Sequence, residues 1–234
     1  MKSKIEELIL SKDFQYIKPY FYNNPFALRC ELGIGDDEVW MKNAKKRVKQ
    51  IYDILFPHSA DALIFNYWML DHSMQFTPAD MSDFGVLEPD KDGFDDGIWE
   101  AWKEKSILRE MNSLNFLYDM KGKYRYAIVR GLNAFYDPDD YDENLRRDRI
   151  VCYPNENGFD DMKYIEDQLA DDLDKDMEIS LVSFENECIL SVYDDRGCDV
   201  VFATHEKMKE FYHKLEPFFL QYDLEEMKKR YDLS

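Results

Sequence analysis

Residues 178–203 read EISLVSFENECILSVYDDRGCDVVFA, and this stretch decides the fold. Branched and aromatic residues crowd three short runs, Glu178–Phe184, Cys188–Tyr193 and Cys198–Ala203, each closed by residues with turn chemistry. Glu185-Asn186-Glu187 forms the first turn and Asp194-Asp195-Arg196-Gly197 the second. Asp at the start and Gly at the end of the second suit a type I turn followed by a left-handed residue, which gives Gly197 a positive φ. That closure sets Cys198 opposite Tyr193 and Cys188 near Ala203, so these two cysteines do not meet. Tight turns join antiparallel strands, so the chain holds a three-strand meander.

Downstream, Thr204 caps a helix whose inner face carries Met208, Phe211, Tyr212 and Leu215. Pro217 interrupts it, and Asp223 with Glu226 suggests a capping box for a last helix bearing Leu224, Met227 and Tyr231. Upstream, Pro25–Gly33 (PFALRCELG) reads as a strand ending in a glycine turn. A helix follows from about Glu38 to Phe56. Met41, Ala44, Val48, Ile51, Tyr52 and Leu55 share its apolar face, while Lys42, Lys45, Lys46 and Lys49 form a basic ridge. Residues 60–70 (ADALIFNYWML) are a second strand, so residues 25–70 read as a β-α-β unit.

The middle is acidic. Residues 71–97 mix Asp80, Asp83, Glu88, Asp90, Asp92, Asp95 and Asp96 with Pro78, Gly85, Pro89, Gly93 and Gly97, which reads as a loop-rich connector. A helix around Ile98–Met111 and a strand at Lys123–Leu132 follow. Residues 137–176 hold fifteen acids against five bases, a local net charge of −10. Met162, Ile165, Leu169 and Leu173 keep helical spacing within that block, which makes it a folded helix with an acidic outer face. The expected fold is therefore α+β. A mainly antiparallel sheet has helices covering one face, and the C-terminal meander is followed by two helices. Residues 1–234 are read as one compact domain, with the connector at about 71–97.

Composition narrows the function. Hydrophobic residues make up 45% of 234 and aromatics 15%, enough to build a core and to exclude a disordered acidic chain. Thirty Lys+Arg against 49 Asp+Glu give a net charge of −19, which repels nucleic acid. No apolar run reaches the roughly 20 residues of a membrane helix, and the opening MKSKIEELILSKDF carries acids, unlike a signal peptide. A cytoplasmic location without membrane contact is the expectation. Cys30, Cys152, Cys188 and Cys198 form no C-x-x-C pair and read as buried apolar side chains in a reducing compartment.

Catalytic signatures are missing. Gly33-Ile34-Gly35 lacks a third glycine, and no phosphate loop or nucleophile elbow occurs. His205 and His213 stand eight residues apart, roughly 12 Å along a helix, too far for one zinc whose ligands lie about 2 Å from it. His58 and His72 have no ligand-spaced partners. Asp90-Lys91-Asp92-Gly93 and Asp137-Pro138-Asp139-Asp140 fail as calcium loops, with Phe94 or Tyr141 at the fifth position and Ala101 or Asp148 at the twelfth. No catalytic residue, metal site or cofactor is assigned.

One segment carries a resemblance. The run Val192-Tyr193-Asp194-Asp195-Arg196-Gly197-Cys198-Asp199-Val200-Val201, then Phe211-Tyr212, then Phe219-Leu220-Gln221-Tyr222-Asp223, resembles the bacterial domain-of-unknown-function family DUF 3885. Its members show a strand, "YDDRG-x-D-[VI]", a helix and a closing "L-x-x-YD". Pro25–Gly33 and the helix leading to Phe56-Pro57 also look like that family, so the match spans about the first third and the last quarter of the chain, with about 177–234 the family-like C-terminal segment. The resemblance carries no catalytic residues. It implies a bacterial cytosolic setting and, because related proteins look like those encoded near secreted multidomain toxins, a toxin-neutralising role. The turn residues Tyr193, Asp194, Asp195, Arg196, Gly197 and Asp199 are explained by structure alone: Asp194 caps its turn, and Arg196 pairs with Asp195 or Asp199. Two functions compete. One is an immunity protein covering a basic toxin domain, with Asp171, Asp172, Asp174 and Asp176 as the partner-binding acids. The other is a small-molecule hydrolase or transferase with a site near the YDDRG turn.

Overall fold

The chain's computed structural model describes residues 2–17, 19–70, 124–132, 145–154, 158–170 and 179–232. The strands are β1 (Ala27–Glu31), β2 (Ala62–Leu70), β3 (Arg125–Leu132), β4 (Leu145–Tyr153), β5 (Ile179–Ser183), β6 (Cys188–Asp194) and β7 (Gly197–Phe202). They form one sheet in the order β1-β7-β6-β5-β2-β4-β3, with every neighbouring pair antiparallel. The expected meander is β5-β6-β7. Four antiparallel steps separate β1 from β2, so the two run in the same direction and the β-α-β unit is a crossover. The meander inserts between its two strands.

Helix α1 covers Lys4–Leu10, α2 Tyr20–Asn23, α3 Trp40–Leu55, α4 Asp161–Leu169, α5 His205–Leu215 and α6 Leu224–Asp232. On α3 the apolar face is seated as its spacing predicts. Ala44, Val48, Ile51 and Leu55 are buried, Met41 and Tyr52 half-buried, and the four ridge lysines outside or partly outside the fold. Full burial of an aliphatic side chain such as Ile51 contributes about 1.5–3 kcal/mol. Thr204 caps α5 by accepting the Lys207 N–H at 3.3 Å, and Met208, Phe211, Tyr212 and Leu215 are buried. Pro217 diverts the chain into a 3-10 turn at Glu216–Phe218. In the acidic block, Ile165 and Leu169 are buried on α4, whereas Leu173 lies outside the described residues. So do residues 71–97, the expected helix at 98–111, and Asp171, Asp172, Asp174 and Asp176.

Both sheet faces are covered. Register and parity put Leu63, Phe65, Ile150, Cys152, Leu190 and Cys198 on the face toward α3, α4 and α5. Ile64, Asn66, Arg149, Ser180 and Asp199 point the other way, where residues 5–24 lie: the Tyr16 hydroxyl bonds Ser180 Oγ at 2.7 Å and the Ile64 carbonyl at 3.1 Å. Strand β4 is absent from the sequence reading because LRRDRIVCY opens on charge. The structure shows how that charge is tolerated. Arg149 is fully buried, donating to the carbonyls of Ile9 (2.8 Å), Ser11 (2.9 Å) and Phe14 (2.6 Å), with its guanidinium 4.9 Å from the Phe14 ring centre. A guanidinium whose two terminal nitrogens donate to three backbone carbonyls thus clamps the N-terminal segment to the sheet.

Three local expectations are corrected. The β6–β7 hairpin carries a register shift at Tyr193, so Cys198 faces Val192 rather than Tyr193, and Cys188 faces Phe202. Gly197 is not among the glycines with positive φ, which in the described residues are Gly35 and Gly158. The bulge at Tyr193, not a left-handed glycine, lets the two-residue turn match the strand twist. Lastly, no capping box starts α6. Asp223 is turned inward and Glu226 pairs with Arg230 at 3.1 Å.

Candidate functional site

Within the YDDRG turn each side chain has its own partner. Asp194 Oδ1 accepts the Arg196 N–H at 2.8 Å, which is the expected Asx turn, and its Oδ2 accepts from Arg196 Nε at 2.7 Å. Arg196 therefore pairs with Asp194, not with Asp195 or Asp199. Asp195 is turned to the Trp40 indole and Asp199 to Arg29, which leaves Asp194 for Arg196. Asp195 Oδ2 accepts the Trp40 indole N–H at 3.0 Å, tying the turn to α3, and the Arg196 carbonyl accepts the Leu32 N–H at 2.9 Å.

Gly197 is demanded by space. A Cβ there would stand 2.1 Å from the Tyr193 hydroxyl oxygen and 2.9 Å from the Cys30 carbonyl oxygen. Gly197→Val should therefore cost about 1–3 kcal/mol by overpacking. The thermal midpoint checks it, and an unchanged midpoint would remove the close-approach assignment.

Asp199 is the centre. It is 0% exposed and grips Arg29 bidentately, Nε to Oδ1 at 2.9 Å and Nη2 to Oδ2 at 3.2 Å. Oδ2 also accepts the Phe21 N–H at 3.0 Å. The other guanidinium nitrogen reaches Asp223 Oδ2 at 3.5 Å, and Asp223 Oδ1 accepts the Tyr22 hydroxyl at 2.7 Å. Arg29 lies 4.9 Å from the Tyr22 ring centre, 5.3 Å from Phe21 and 5.7 Å from Tyr193. Burial works against its charge, but the bonds and charge of Asp199 outweigh burial and hold the guanidinium more firmly protonated. Tyr193 is pushed up by burial and then by Asp199, and Tyr22 by its bond to Asp223 and then by burial, so neither offers a phenolate near neutral pH. The last aspartate of "YDDRG-x-D", Asp199, and that of "L-x-x-YD", Asp223, thus converge on one arginine. Chemically this is a brace: each named carboxylate is engaged by a donor from another element.

A second buried acid sits at the start of α4. Asp161 Oδ2 accepts the Tyr52 hydroxyl at 2.5 Å and the Ala60 N–H at 2.6 Å, while its Oδ1 has no hydrogen-bond partner. Burial holds this carboxyl above its ordinary range despite both bonds. It fastens the end of α3 to α4 and the entrance to β2.

Of the residues singled out from sequence, the structure assembles Tyr193, Asp194, Asp195, Arg196, Gly197 and Asp199. Asp171, Asp172, Asp174 and Asp176 lie outside the described residues. Arg29, Tyr22 and Trp40 complete the brace and lie outside the motif that the sequence singles out. The available signal was an arginine inside the apolar run PFALRCELG and an aspartate inside GCDVVF, complementary charges in two strand interiors. Two histidines have structural partners: His205 Nε2 bonds the Arg230 carbonyl at 2.9 Å, and His213 Nδ1 lies 3.1 Å from Glu216. Among the described residues no three His, Cys, Asp or Glu side chains gather as a metal site would require, and no helix is long and apolar enough to cross a membrane.

A family model described as Domain of unknown function (DUF3885) matches residues 97–223, over half the chain. The match contains the YDDRG and YD motifs and the acidic block 137–176, and it does not extend to residues 25–57, where the sequence also suggests likeness. No curated protein and no solved structure gives a significant match.

Proposed function

The chain belongs to the domain-of-unknown-function family DUF3885, and on that premise we propose that it is a non-catalytic, acidic binding protein of the bacterial cytoplasm, an immunity protein that covers a cationic toxin domain. The reading is carried by where the acids stand. Asp194, Asp195, Asp199 and Asp223 brace the fold. The excess charge is concentrated elsewhere, in residues 137–176 with their net −10, of which Asp148 and Asp161 are buried. A hydrolase or transferase working under the YDDRG turn would need a nucleophile or base there, whereas Asp195, Asp199 and Asp223 are bonded to other elements and the exposed Arg196 is paired with Asp194.

Two measurements test the reading. Co-expression with the toxin domain encoded beside this gene should restore growth of cells that the toxin alone arrests; no rescue would overturn it. Changing Asp171, Asp172, Asp174 and Asp176 together to Asn should slow association with that domain by about 10-fold at low ionic strength, with the difference nearly gone at molar salt. An unchanged rate and salt slope would remove these four residues from the interface.

A further inference from the structure

We propose that Cys30 and Cys198 are a latent redox pair, which a low-molecular-weight disulfide such as oxidised glutathione converts into a bridge fastening β1 to β7. The two residues are direct partners across antiparallel strands, with their side chains on the same face of the sheet. Leu32 N–H bonds the Arg196 carbonyl and Phe202 N–H the Phe26 carbonyl, so by alternation Cys30 and Cys198 occupy a hydrogen-bonded position. Such pairs have Cα atoms about 5.5 Å apart, within the roughly 4.4–6.8 Å that a disulfide spans. Their Cβ atoms stand about 5 Å apart, wider than the ~3.8 Å of a relaxed bridge. Closure must draw the strands together, and strain of that kind makes a disulfide easily reduced, hence reversible.

Cys152 and Cys188 are internal controls. All four cysteines are free and buried, but Cys152 faces Leu63 and Tyr126, and Cys188 faces Ser183 and Phe202. Register, not burial, singles out the pair. Access comes through the sheet edge. On its outer side β1 is held by the Cys30–Phe219 bridge and by Leu220 N–H to the Arg29 carbonyl at 3.2 Å. Opening of the segment around Phe219 would bare Cys30. The Cys30 thiolate attacks oxidised glutathione and releases one glutathione thiolate. Cys198, deprotonated, then attacks the Cys30 sulfur and releases the second. Two electrons pass from the protein to glutathione, whose two thiolates take up the two protons.

The test is a peptide map. The reduced full-length chain is incubated with oxidised glutathione at rising concentration, with and without sub-denaturing urea, then alkylated and digested without reductant. The expected product links the Cys30 and Cys198 peptides, while Cys152 and Cys188 are recovered alkylated or free. The oxidised protein should melt about 5 °C higher, and dithiothreitol should return the midpoint. Absence of a bridge under both conditions, or bridges to Cys152 or Cys188 in comparable yield, would overturn the pairing. A midpoint unchanged or lowered by the bridge would overturn the fastening.

Discussion

Arg29→Met will lower the stability of the folded chain by about 3–5 kcal/mol, the usual cost of removing one partner from a buried ion pair. Methionine matches much of the arginine stem in length but removes the guanidinium that stands over Phe21 and Tyr22, so the loss combines the ion pair with those ring contacts. What remains among the described residues is Asp199, 0% exposed, with the Phe21 N–H against its charge, and Asp223 with the Tyr22 hydroxyl. In a chain of this size the midpoint should fall by roughly 10 °C. Arg29→Met combined with Asp199→Asn should recover part of it, because a neutral amide no longer needs a cation. A double-mutant cycle separates the pair from its surroundings. A single-variant loss below about 1 kcal/mol would place the pair with weak, solvent-screened bridges and remove the brace.

That brace also marks the limit of what the sequence discloses. The meander, α3 and α5 are legible because their burial follows local periodicity: Met208, Phe211, Tyr212 and Leu215 recur at helical spacing and all are buried. Strand β4 is illegible for the opposite reason. Its interior arginine is satisfied by carbonyls of Ile9, Ser11 and Phe14, more than 130 residues away, and no local pattern records such partners. The YDDRG motif falls between these cases. Its turn and its Asx bond are local, so the sequence predicts them. Its glycine was assigned a positive φ, whereas the bulge at Tyr193 makes the demand steric. Trp40 for Asp195 and Arg29 for Asp199 come from segments 155 and 170 residues distant, set by strand order alone. The proposed role of Asp171, Asp172, Asp174 and Asp176 stands untouched by any of this, since it rests on charge.

Strand order also makes the family-matched segment, expressed alone, a chain without a fold. Residues 97–223 contain β3 to β7 with α4 and α5, but not β1, β2, α3 or α6. In the order β1-β7-β6-β5-β2-β4-β3, losing β2 separates the meander from the β3–β4 hairpin and leaves β5 and β4 with open edges. Losing β1 opens β7 as well and takes Arg29 from Asp199. Losing α3 uncovers the face against which Ala44, Val48, Ile51 and Leu55 are buried. Unpaired edges and bare apolar surface favour association between chains. The expected result is a 97–223 fragment with no cooperative urea transition and a concentration-dependent loss of solubility, whereas residues 1–234 unfold in one transition. Adding residues 1–96 as a second chain should restore part of the transition, since that fragment supplies β1, α3 and β2 together. A cooperative transition in the fragment alone would mean that the matched segment carries its own core. The outcome bears on function directly. A binding assay run on 97–223 would present a toxin domain with an acidic unfolded chain, and any salt-dependent attraction it showed would report net charge rather than an immunity surface.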